Sequence, residues 1–171
     1  SIQDGQYEMT VKYYNEGWFG RHPQIYDFMN LFMGFLRRRA AKRMGMSRLR
    51  VLDVATGTGA HALAMAKLKH DVTGIDLDEN MLAKAQKKTD KRLRLRFSHA
   101  DGTSTGFADN NFDAATISFA MHDVPENIGV NILSETKRVV KDEGFLYIID
   151  YNDLSGFGSR VLHVIARLYE S

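Results

Sequence analysis

From Arg50 onward the chain alternates short apolar runs with segments of strong helix formers, and that alternation admits few architectures. Strands are expected at 50–54, 71–76, 94–98, 112–119 and 144–150, with helices at 60–69, 79–88 and 127–140. Parallel neighbours need crossover connections, so this order predicts an α/β fold with a doubly wound, mainly parallel sheet. Upstream, Ile25, Phe28, Met29, Phe32, Phe35, Leu36 and Ala40 recur at three- and four-residue spacing, which predicts a helix over 24–45. A last helix is expected over 155–169. At 171 residues the chain suits one structural domain, with residues 1–48 an N-terminal helical segment and 49–171 the core. Ligands bind such sheets beyond the carboxyl ends of the strands, where the strand order reverses, so the residues just after each strand carry the functional information.

Composition narrows the chemistry. The sequence has no cysteine, which excludes disulfides, thiolate zinc sites and a cysteine nucleophile, and which fits a reducing, cytoplasmic setting. No apolar run reaches the roughly 20 residues that cross a bilayer. No H-E-x-x-H pattern or dense carboxylate cluster signals a metal. The net charge is only +2, although Arg37–Arg50 and Lys84–Arg96 are both rich in basic residues. Such stretches can hold phosphates, but solvated helix faces and turn edges are the favoured reading, because acidic residues elsewhere keep the total near neutral.

The turn after the first strand reads Asp53-Val54-Ala55-Thr56-Gly57-Thr58-Gly59-Ala60. Its glycines let the backbone turn sharply and let a ligand approach without meeting a Cβ atom. Gly57 to Ala62 also satisfies a dinucleotide fingerprint, but Asp53 argues against a dinucleotide, because a carboxylate at the strand end repels a pyrophosphate. It suits a ligand with cationic groups, such as the ammonium and sulfonium of S-adenosylmethionine. Asp76, ending the second strand, can accept hydrogen bonds from two ribose hydroxyls; the alternative of a helix N-cap is met by Asp78. Asp101, after the third strand, is placed to receive an adenine amine with Gly102 leaving room for the ring, or to serve as a turn residue. Leu77 and Met81 beside Asp76, and Ser118 and Phe119 ending the fourth strand, complete the expected cofactor lining with Ala55, Thr56, Gly57 and Gly59.

These strand ends resemble those of class I S-adenosylmethionine-dependent methyltransferases, over about residues 49–150. Ala55 stands where the usual motif has its first glycine, as in the ubiquinone/menaquinone-biosynthesis C-methyltransferases. Tyr26-Asp27-Phe28-Met29-Asn30, Asp109-Asn110-Asn111-Phe112-Asp113 and Arg138-Val139-Val140-Lys141-Asp142-Glu143-Gly144 are also similar to segments of that family. The resemblance implies methyl transfer to a small-molecule acceptor, quinone-precursor-like or another metabolite, with S-adenosylhomocysteine as product. The quinone enzymes usually carry an Arg-Asn pair after the fourth strand, where this chain has Met121-His122-Asp123-Val124-Pro125. The resemblance also implies a helix and two more strands past the fifth. The chain is expected to lack those two strands, leaving the fifth-strand edge for a second copy or another partner to cover.

His122 is a candidate general base and Asp123 a candidate catalytic partner; the competing readings are a loop histidine bonded to backbone and a helix cap. Asp150, Tyr151, Asn152 and Asp153, after the fifth strand, either line the acceptor pocket or form a plain turn. Tyr14, Trp18 and Tyr26 either close as a lid over the cofactor or simply pack on the sheet. Three other functions compete. Nucleic acid methylation is disfavoured because Ser118-Phe119-Ala120-Met121 lacks the Asn/Asp-Pro-Pro-Tyr/Phe segment of enzymes that methylate an exocyclic base nitrogen, and the covalent cytosine route needs a cysteine. A nicotinamide oxidoreductase conflicts with Asp53. A non-catalytic binding protein on the same fold stays open.

Overall fold

A computed structural model of the chain describes residues 48–151 and the strand 161–167. The elements are β1 (Arg50–Val54), α1 (Ala60–Lys67), β2 (Asp71–Asp76), α2 (Glu79–Gln86), β3 (Leu95–His99), β4 (Phe112–Ser118), α3 (Glu126–Val139), β5 (Val140–Tyr151) and β6 (Val161–Arg167), with a 3₁₀ turn at Met121–Asp123. The expected helix at 24–45, the proposed lid of Tyr14, Trp18 and Tyr26, and Asn152 lie outside the described residues.

The sheet order is β3-β2-β1-β4-β5-β6. β1 pairs in parallel with β2 on one side and β4 on the other, so the strand order reverses there. Helices on both faces explain why β1 reads as an unbroken apolar run, since Val51 to Val54 are all buried. The pleat then sends alternate side chains to opposite layers. Val51 packs with Ala62, Met65 and Ala66 of α1, whereas Leu52 and Val54 pack with Ile75, Ala115, Ile117 and Val139. None of the described helices is long and apolar enough to cross a membrane.

The C-terminal part departs from expectation. Residues 161–167 form a strand, not part of a helix over 155–169, and this strand lies antiparallel to β5 from Phe145↔Arg167 to Tyr151↔Val161. Val161-Leu162-His163-Val164-Ile165-Ala166-Arg167 is a short run with β-branched residues beside an unpaired edge. Helical and strand spacing cannot be told apart over so short a run, and the ladder bonds on offer decide it. The β5 edge is therefore covered by the chain's own β6, not by a second copy or a partner, and the core has a sixth strand where none was expected.

Candidate functional site

The β1–α1 turn is built on three left-handed residues, Ala55 (φ 52°), Gly57 (φ 54°) and Gly59 (φ 72°). Thr56 N–H donates to the Ile75 carbonyl at 2.9 Å, which ties the turn to β2. The two glycines serve different purposes. A Cβ on Gly59 would lie 2.5 Å from Phe97 Cζ and 2.9 Å from Ala85 Cβ, so this glycine lets α1 sit against β3 and α2. A Cβ on Gly57 would meet nothing within 4 Å, so its outer face is a cradle open to a ligand.

Asp76 holds that cradle from the side. Its Oδ2 accepts from Gly57 N–H at 2.7 Å and its Oδ1 from Asp78 N–H at 2.9 Å. Burial pushes its carboxyl above the ordinary carboxylate range, against these N–H groups, which pull the other way. Asp78 caps α2, accepting from Asn80 N–H at 2.8 Å and Met81 N–H at 3.2 Å, so the capping role falls to Asp78 and not to Asp76. Leu77 presents its carbonyl to His99 Nε2 at 3.0 Å, and Met81 lies in the first turn of α2.

Asp53 is fully buried, and both its oxygens are taken by hydroxyls, Thr56 Oγ1 and Thr116 Oγ1, each at 2.6 Å. Its charge therefore acts on the turn through space. Thr116, absent from the sequence-based candidates, becomes recognisable once the β1–β4 register sets it beside Asp53. Asp101 Oδ1 accepts from the Thr103 N–H and hydroxyl, both at 2.8 Å, in a side-chain-closed turn. A Cβ on Gly102 would press on Val54 Cγ1 at 3.0 Å and approach Ile132, so its smallness also serves core packing.

Beyond β4 the chain bends back through Phe119, a bulky residue at φ 57°. Such a conformation costs of order 1–3 kcal/mol and persists only where the surroundings impose it. Here Phe119 N–H donates to the Ile149 carbonyl at 2.7 Å, and the ring packs on Tyr147 and Ile149. Ser118, just before it, is half-buried at the strand end. The 3₁₀ turn that follows brings His122 onto Asp150 near the end of β5, with Nδ1 2.6 Å from Oδ1. The other oxygen, Oδ2, accepts from the N–H groups of Met121 at 2.8 Å and His122 at 3.2 Å. The partner of His122 in the structure is thus Asp150, which reading the chain locally could not single out from its neighbours. Asp123 lies on the same turn and Tyr151 closes β5, but their side chains lie outside the described residues.

The basic stretch at 84–96 is partly neutralised by acids. Arg92 pairs with Asp90 at 2.6 Å and Arg96 with Asp71 at 2.8 Å, both at exposed positions.

A doubly wound sheet with an open glycine cradle after β1 and acidic side chains ending β1, β2 and β3 defines a Rossmann-like domain that binds a nucleoside-bearing ligand. A methyltransferase domain model matches residues 51–144, and the chain belongs to that family. Demethylmenaquinone methyltransferase of Staphylococcus aureus strain MRSA252 is 34% identical over 134 residues, covering 73% of this chain and 55% of the relative. The chain thus spans about half the length of the curated relatives it matches. Among solved structures, a SAM-dependent methyltransferase from Aquifex aeolicus superposes with a TM-score of 0.61 at 28% identity, covering 71% of this chain and 68% of the other. The [4+2]-cyclase SpnF superposes with a TM-score of 0.62 at 29% identity, covering 69% of this chain and 44% of the other.

Proposed function

We propose that this chain binds S-adenosylmethionine at the β1–β3 strand ends and transfers its methyl group to a small molecule of the quinone-precursor class. The observation that carries the reading is the Gly57 cradle backed by Asp76. A carboxylate oxygen has two lone pairs, so each Asp76 oxygen can accept a ribose hydroxyl besides its backbone N–H. The buried Asp53 charge favours a cation and disfavours a pyrophosphate at the same turn. The second oxygen of Asp101 suits the adenine amine, with Ala55, Leu77, Met81, Ser118 and Phe119 around the cofactor. When bound, the cofactor supplies an electrophilic methyl group on a sulfonium; the protein's part is to position the acceptor in line with it and to keep water out. Tyr14, Trp18 and Tyr26 as a lid, and Asp123, Tyr151 and Asn152 on the acceptor side, belong to the same proposal. The acceptor class draws its support from the demethylmenaquinone methyltransferase relative.

The test is calorimetric titration with S-adenosylhomocysteine, with NADH as control. Wild type is expected to bind S-adenosylhomocysteine and not NADH, and Asp76→Ala to bind about 10–100-fold more weakly, the loss of hydrogen bonds to a charged acceptor. Because the Asp76 carboxyl is raised, affinity should begin to fall on acidification above the pH at which an ordinary carboxylate protonates. NADH binding would sink the proposal. A second reading, cofactor-fold chemistry other than methyl transfer, is favoured by the likeness to a cyclase. Tight S-adenosylhomocysteine binding with no methylation of dithionite-reduced demethylmenaquinone or simpler hydroquinones would select it.

A further inference from the structure

The segment that carries Asp101 is anchored from α3. Glu135, a side chain only 10% exposed, accepts the N–H and the hydroxyl of Thr105 through Oε1, each at 2.7 Å, and Thr105 itself is buried. Arg138, on the next turn of the helix, holds the Glu135 carboxylate in its place, with Nε 2.8 Å from Oε2 and Nη2 2.8 Å from Oε1. The same guanidinium bonds the Phe107 carbonyl at 2.8 Å and the Asp109 carboxylate, so it ties down the rest of the segment as well. Residues three apart share a helix face, and Ile132 lies on the face of Glu135. A Cβ on Gly102 would come within 3.5 Å of Ile132 Cγ1, so α3 meets the segment on both sides of the Asp101 turn.

Between these two anchors Asp101 closes its turn. Oδ1 accepts from the N–H and hydroxyl of Thr103, both at 2.8 Å, and the Asp101 carbonyl accepts from Ser104 N–H at 3.1 Å. Oδ2 makes no hydrogen bond among the described residues. Gly102 and Gly106 (φ 73°) bracket the turn, and glycines leave a chain free to move unless something fixes it. A carboxylate that takes both donors of one residue fixes that residue's backbone and side chain together, which apolar packing alone does not do. We propose that Glu135, steadied by Arg138, is a positioning residue for base recognition: through Thr105 it places Asp101 Oδ2 to accept the exocyclic amine of adenine, which makes the site selective for adenine over a 6-oxopurine. This rests on the S-adenosylmethionine reading of the site. A 6-oxopurine presents a carbonyl where adenine has its amine, and two acceptors face to face repel, so a correctly held Asp101 rejects it.

Calorimetric titration with S-adenosylhomocysteine and with S-inosylhomocysteine, which differ only in the base, reads this directly. Wild type is expected to bind the adenosyl compound about 10–100-fold more tightly, the value of one hydrogen bond to a charged acceptor. Asp101→Asn should bring that ratio to within about threefold of unity, because its amide offers the oxo group a donor. Glu135→Ala should do the same. Glu135→Gln, which keeps an acceptor for Thr105 without the charge that holds Arg138, should lower the ratio by about 3–10-fold. A role in stability alone lowers both affinities by one factor, through the folded fraction, and leaves the ratio where it was. An unchanged ratio in Glu135→Gln would therefore overturn the proposal even if Glu135→Ala failed to fold. So would equal binding of both compounds by wild type, which leaves the cofactor reading standing. If wild type bound neither, the S-adenosylmethionine reading itself would fall, and base selection with it.

Discussion

Ala55 and Gly59 sit two turns of the same loop apart in purpose, although both are left-handed. Ala55 adopts φ 52° with a Cβ atom, a conformation that costs a non-glycine residue about 1–2 kcal/mol. Ala55→Gly should therefore be neutral to stabilising by up to about 1 kcal/mol, because the greater freedom of glycine in the unfolded chain returns part of the gain. Gly59→Ala should destabilise by about 2–4 kcal/mol, adding the left-handed penalty to the overlap with Phe97 and Ala85. Urea denaturation of the two variants checks both signs. His70 makes a different residue-scale prediction. It is buried, its Nδ1 accepts from Leu49 N–H at 3.2 Å, and among the described residues its Nε2 has no hydrogen-bond partner. Burial lowers its pKa, so the folded state keeps the ring neutral while the unfolded chain takes up a proton near pH 6.5. The unfolded state then binds more protons, and stability falls as pH drops below about 6.5 until the folded pKa is passed. His70→Asn keeps an acceptor for Leu49 and should flatten the thermal midpoint across that interval.

At the scale of elements, α3 is clasped to the β3–β4 connection by one carboxylate. Glu135 Oε1 accepts from the Thr105 N–H and hydroxyl, both at 2.7 Å, and Arg138 bonds Glu135, Asp109 and the Phe107 carbonyl. Arg138 first, then Thr105, hold the Glu135 carboxyl down to about 2 despite its burial. A depressed carboxyl stabilises the fold fully above its unfolded value near 4.5, and that contribution is lost as pH falls toward about 2. Glu135→Ala should remove this acid dependence and cost about 1–3 kcal/mol, since it leaves the buried Thr105 N–H without its acceptor; acid titrations of both proteins followed by circular dichroism compare them. Reading the chain alone found β1 and β2 to the residue, because a strand buried on both faces is a dense apolar run bounded by turn residues. It placed α1, α2, α3 and β3 within a residue or two, and began β5 at 144 where the strand starts at Val140. It missed β6 because seven residues carry too little periodicity, and because the strand that decides their state pairs with them from Tyr151↔Val161 out to Phe145↔Arg167, beyond the reach of any local pattern. The pairing of Asp150 with His122 is illegible in the chain for the same physical reason. Only the fold brings the two together, and in the chain Asp150 is one polar residue of four after an apolar run.

For the molecule as a whole, β6 closes one side of the sheet. Deleting residues 161–171 would leave the outer edge of β5 unpaired from Phe145 to Tyr151, with β4 still on its other side. The shortened chain is expected to associate at concentrations where the full chain does not, which light scattering of the two would show; equal mass for both would refute it. The other consequence of the topology concerns inheritance of change. Asp53, Gly57, Asp76 and Asp101 stand on the β1–β3 half of the sheet, and His122 and Asp150 on the β4–β5 half, with the reversal of strand order between them. On the proposed assignment, substitutions beyond Phe119 leave the glycine turn, Asp76 and the Thr116 bond to Asp53 in place, so a lineage can exchange one acceptor for another while its nucleoside pocket passes unaltered from ancestor to descendant.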